Sequence, residues 1–82
     1  MRLNQEQVFV RNLMGNALPG ASFALFGRGL IVNYGESSVG IDVVDGQVVL
    51  TQWKSGIPSD EHCRSLDEAC LRCKNILKSA AD

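Results

Sequence analysis

At 82 residues with a formal net charge of −1, the chain has room for one core and shows no excess of either charge. Its 45% hydrophobic and 21% charged residues argue against disorder, because there is enough apolar surface to offset the entropy of ordering. No apolar run approaches the ~20 residues of a membrane-spanning helix, and the polar start, Met1-Arg2-Leu3-Asn4-Gln5-Glu6-Gln7, lacks the apolar centre of a secretory signal. The expectation is one compact α+β domain over residues 1–82.

Asn4 opens the first element. Asn4 and Gln7 have the spacing of a capping box. On a helix over residues 5–14, Leu3, Phe9, Val10, Leu13 and Met14 share one side, and Gly15 suits the left-handed position that ends a helix. Residues 15–20, Gly-Asn-Ala-Leu-Pro-Gly, read as a linker.

The apolar period then changes to two. Phe23 and Leu25 lie on odd positions, whereas Leu30, Val32 and Tyr34 lie on even ones. A strand cannot change phase without a bulge or a turn, and Gly27-Arg28 fits a two-residue turn with glycine first. The resulting hairpin pairs Leu25 with Leu30, Phe23 with Val32 and Ala21 with Tyr34. Asp45-Gly46 predicts a second hairpin, pairing Val43 with Val48, Ile41 with Leu50 and Val39 with Gln52. Gly35-Glu36-Ser37-Ser38 connects the two. This predicts an antiparallel meander of three to four strands, after which residues 54–60, Lys-Ser-Gly-Ile-Pro-Ser-Asp, break the sheet.

Ser65-Leu66-Asp67-Glu68 is a second capping box by spacing. Leu66, Ala69, Cys70, Cys73, Ile76, Leu77 and Ala80 recur at steps of three and four residues, which predicts a C-terminal helix packed on the sheet. Lys74 and Lys78 fall late in that helix, where positive charge complements its dipole.

Candidate chemistry is sparse. His62, Cys63, Cys70 and Cys73 supply the ligand types of a Cys₃His zinc site, but all four crowd into one stretch, and Cys70 and Cys73 also fall on the buried helical stripe. The expected assignment is therefore no metal and no cofactor. An odd cysteine count confined to residues 63–73 does not make a disulfide framework and fits a reducing cytoplasm. A catalytic cysteine would need Cys63 beside His62 in space, which adjacency in sequence does not supply. Gly27-Arg28-Gly29 has no following helix and so lacks the context of a phosphate loop. Asp60-Glu61 and Asp67-Glu68 read as solvated charge. No enzyme is expected.

The sheet itself carries the strongest signal. One face holds Phe23, Leu25, Leu30, Val32, Ile41, Val43, Val48 and Leu50. The other holds Ala24, Phe26, Ile31, Val44, Val49 and Trp53 among Ser22, Asn33, Asp42 and Thr51, which is more apolar than a solvated antiparallel face usually is. Either each helix covers one face, or part of the second face binds something. The expected function is a small protein-binding module, an adaptor or stand-alone inhibitor of a larger assembly. Its partner would be another protein or a second copy, bound through Trp53, Phe26, Ile31, Val49 and Arg28.

The order helix, antiparallel strands, helix resembles that of the double-stranded-RNA-binding domain, in topology alone. That family carries a Lys-rich start to its second helix, which holds phosphates; here the matching stretch is Cys63-Arg64-Ser65-Leu66-Asp67-Glu68, with acid in that place. Nucleic-acid binding and a zinc-stabilised domain stand as the alternatives, and the acidic balance disfavours the first.

Overall fold

The computed structural model describes residues 3–81, with α1 (Gln5–Ala17), β1 (Ser22–Phe26), β2 (Gly29–Tyr34), β3 (Ser37–Val44), β4 (Gln47–Lys54), β5 (Ile57–Cys63) and α2 (Leu66–Ala81). The five strands form one antiparallel meander in the order β1-β2-β3-β4-β5. The α+β architecture with a helix at each end is as the sequence implies, but the sheet has five strands rather than three to four.

Four two-residue turns build the meander. Gly27 has φ +58 and its partner Arg28 does not adopt a positive φ, so the first turn is of the II′ kind, which a Cβ at its first position would strain. Asp45 and Gly46 have φ 52 and 77, the two positive values of a I′ turn. The registers follow: Leu25 faces Leu30, Phe23 faces Val32, Val43 faces Val48 and Ile41 faces Leu50. The β1–β2 ladder begins at Ser22–Asn33, so Ala21 lies outside it.

Three boundaries differ from the sequence expectation. The connection Gly35-Glu36-Ser37-Ser38 tightens to a turn at Gly35-Glu36, and both serines join β3. Residues 54–60 do not end the sheet: Ser55 and Gly56, at φ 54 and 79, make another I′ turn into β5. α1 passes through Gly15 and ends at Ala17, where the Leu18 N–H still bonds the Met14 carbonyl at 2.8 Å and buries Leu18 in the core.

Both helices pack on the same face. Val10, Met14 and Leu18, at and just beyond α1, and Ala69, Cys70, Cys73 and Leu77 of α2 meet Leu30, Val32, Val39, Ile41, Val48, Leu50 and Cys63 in one buried cluster. Each Val, Leu, Ile or Met side chain so removed from water contributes about 1.5–3 kcal/mol.

The helices are anchored at their starts. The Gln7 N–H donates to Asn4 Oδ1 at 2.8 Å, and the Asn4 N–H donates to Gln7 Oε1 at 2.9 Å. The same two side chains reach the first hairpin: Gln7 Nε2 donates to the Gly29 carbonyl at 3.0 Å and Asn4 Nδ2 to the Arg28 carbonyl at 3.1 Å. Gln7 is buried with its amide satisfied, so the cap of α1 also fixes how α1 sits on the sheet. At α2, Ser65 Oγ accepts the Glu68 N–H at 3.1 Å, while Glu68 reaches back to the Arg64 N–H at 3.4 Å.

Candidate functional site

With both helices on the inner face, neither covers the outer one. The pairings place Ala24, Ile31, Gly40, Thr51 and Asp60 in one row across all five strands, and Asp42, Val49 and His62 in the next. Phe26 and Trp53 reach over this surface from the first and fourth strands. Their rings meet edge to face, with centroids 5.8 Å apart and planes at 74°. Such a pair contributes about 0.5–1.5 kcal/mol beyond the area it covers.

Gly40 is what lets the rings meet. A Cβ there would lie 2.8 Å from Phe26 Cε2 and 3.1 Å from Trp53 Cη2, so the bare backbone of β3 is the floor on which both rings rest. Ile31, Val49 and Ala24 continue the apolar surface, and Val44 stands half-exposed at one end.

Polar groups around the rings are tied to the sheet. Thr51 Oγ1 donates to Asp60 Oδ1 at 2.7 Å, and Ser38 Oγ donates to Asn33 Oδ1. Asp42 Oδ1 accepts the Arg28 N–H at 2.9 Å and so braces the first turn from the outer side. The face is an apolar, aromatic platform on which Asn33, Ser38, Asp42, Thr51 and Asp60 already have hydrogen-bond partners.

Of the candidate binding residues, Phe26, Ile31, Val49 and Trp53 share this face. Arg28 stands apart from them. Its guanidinium lies 4.0 Å from the Glu6 carboxylate of α1, so it leans toward the helical side. Two contributors were not legible as such: Gly40, whose role depends on rings that are distant in sequence, and Thr51, which is buried under the bond to Asp60. The Trp53 period alone was enough to place that ring outward.

The cysteine–histidine quartet is not brought together. Cys63 points into the core, whereas its neighbour His62 falls on the outer face, as alternation along a strand requires. The three thiols are buried and free, and no group of three or more His, Cys, Asp or Glu residues with metal-binding geometry occurs among the described residues. Burial pushes the Cys70 thiol up to about 11 and the Cys73 thiol up to about 12, with Cys63 raised for the same reason. Thiols so protonated are poor nucleophiles near neutral pH. The hollow lined by Glu36, Ser37, Trp53, Lys54, Ile76 and Ala80 is an open depression.

No described helix is long and apolar enough to cross a membrane. No protein-family model, curated protein or solved structure matches this chain.

Proposed function

We propose that the chain is a non-enzymatic protein-binding module, an adaptor or inhibitor of a larger assembly, that docks through the outer face of its sheet. The observation that carries this reading is the Phe26–Trp53 pair held on the Gly40 floor of a face neither helix covers. Tryptophan is favoured at the energetic centres of interfaces, and contiguous exposed apolar surface usually marks a contact site. The rings are positioned before any partner arrives, so docking costs little side-chain entropy. The buried, protonated thiols and the separation of His62 from Cys63 support a role without covalent catalysis.

The test compares the two sides of the molecule. A photo-crosslinking residue at Ile31 should capture one partner protein from the source cell, and the same residue at Asn75, on the exposed side of α2, should not. Trp53→Ala should then weaken the captured complex by at least about tenfold while costing the fold only about 1 kcal/mol. Equal capture from both positions, or a complex indifferent to Trp53→Ala, would remove the outer face as the docking site.

A further inference from the structure

The sheet has two free edges, and they are treated differently. β5 is blunted. In a two-residue hairpin the residues flanking the turn form a hydrogen-bonded pair, so Lys54 and Ile57 bond each other and the next pair, Trp53 and Pro58, does not. The backbone nitrogen of Pro58 therefore faces the open edge, where proline removes a donor that another strand would need. Asp60, Glu61 and His62 add polar or charged side chains along the same strand.

β1 carries none of these guards. Its sequence is Ser-Phe-Ala-Leu-Phe, with no charge, no proline and no bulge, and no described strand pairs with its outer side. Phe26 and Gly29 flank the first turn and bond each other, as do Ala24–Ile31 and Ser22–Asn33 farther along. The N–H and C=O groups of Phe23 and Leu25 consequently point away from β2, toward open space. Leu25 is also 48% exposed although it belongs to the helix-covered face.

We infer that β1 pairs with β1 of a second copy of this chain, antiparallel, with Ala24 on the two-fold axis. That register is self-complementary. Phe23 of each copy lies opposite Leu25 of the other, and these are the residues whose backbone groups face outward, so four hydrogen bonds form and all four donors are used. Ala24 meets Ala24 as a non-hydrogen-bonded pair, where Cα atoms approach to about 4.5 Å and a small side chain is an advantage. On the inner side the half-exposed Leu25 is covered by Phe23 of the second copy. Two five-stranded sheets thus join into one sheet of ten strands, with the outer faces of both copies on the same side. The pairing goes beyond the docking function proposed above and stands without it, because it uses the edge rather than the face.

Sedimentation velocity from micromolar to millimolar concentration should show a reversible monomer–dimer equilibrium. Ala24 is exposed on the outer face, so Ala24→Lys should leave the monomer folded, place two like charges at the axis and weaken dimerisation roughly tenfold or more. Ile57→Lys, on the opposite edge, should leave the dimer intact. In a mixed-isotope sample of the unaltered chain, an interchain Hα–Hα contact at Ala24 should appear, which decides the matter even if a variant fails to fold. A chain that stays monomeric at all concentrations overturns the inference. So does a dimer broken by Ile57→Lys or by Trp53→Ala but not by Ala24→Lys.

Discussion

The inner and outer faces of the sheet are made by the same strands, and alternate residues of each strand contribute to each. On the inner face Leu30, Val32, Ile41 and Leu50 are sealed beneath two helices, and the residues that complete the seal include three thiols. On the outer face the apolar residues are fewer, and the two aromatic rings rest on a glycine instead of beneath a helix. The inner face holds the fold together because it removes area from water. The outer face offers a shaped aromatic surface at little cost in stability. Damage to the first should therefore be read as unfolding, and damage to the second as a change in the shape of a surface on a chain that stays folded.

The largest effect separating the two faces should come from alkali. Cys70 and Cys73 keep their protons in the folded chain until about 11 and about 12, against 9.0 when unfolded. Below pH 9 both states hold the proton and nothing is lost. Above it the unfolded chain sheds protons that the folded chain retains, so stability falls as pH rises, at up to ~1.4 kcal/mol per pH unit for each thiol. Between pH 9 and 11 this reaches several kcal/mol, a large share of what so small a domain possesses. Urea unfolding followed across that range should show a steep decline, and the double variant Cys70→Ala, Cys73→Val should flatten it. An unchanged slope in the double variant would mean that the Cys70 and Cys73 thiols are not what fails.

Gly40→Ala addresses the outer face. The new Cβ would press into ring carbons of Phe26 and Trp53, and rings on an open face can tilt away, so the expected cost is modest, about 1 kcal/mol. The expected signature is spectroscopic. Near-ultraviolet circular dichroism and Trp53 fluorescence should change while far-ultraviolet dichroism does not. Loss of the whole fold would show instead that the outer rings contribute to the core.

The same contrast explains what the sequence could and could not reveal. The registers of the first and third hairpins were legible because Gly27-Arg28 and Asp45-Gly46 are turn pairs between apolar runs of opposite phase, and the buried stripe of α2 was legible at helical spacing. β5 was not. It is an edge strand, Ile-Pro-Ser-Asp-Glu-His-Cys, with polar residues on both sides, so it carries no alternation, and its proline reads as a break. The one available signal was Ser55-Gly56, a two-residue turn like the others. The end of α1 was misplaced because Gly15 sits helical, with Leu18 beyond it drawn into the core. Gly40 could not be understood at all without knowing that Phe26 and Trp53 converge above it. The outer face could be enumerated residue by residue, but that neither helix covers it depends on both packing to one side.

At the margin where the two faces meet, the smallest effect is expected. Glu61 lies on the inner face of the edge strand β5, paired across from Leu50, and its carboxylate takes a two-pronged grip from Arg72 of α2: Nε at 3.0 Å and Nη2 at 2.9 Å. Those bonds hold the Glu61 carboxyl below its ordinary 4.5. Its contribution is accordingly present above the unfolded value and disappears as pH falls through the lowered folded one. Both partners are solvated, so the pair adds little to the fold, yet it is the one ion pair tying α2 to β5 among the described residues. Glu61→Gln should make the decline below about pH 4.5 shallower than in the unaltered chain. An identical acid limb in both chains would assign the margin's stability to Cys63 and the buried contacts beneath it, and would leave the Arg72 grip as a positional feature of the helix alone.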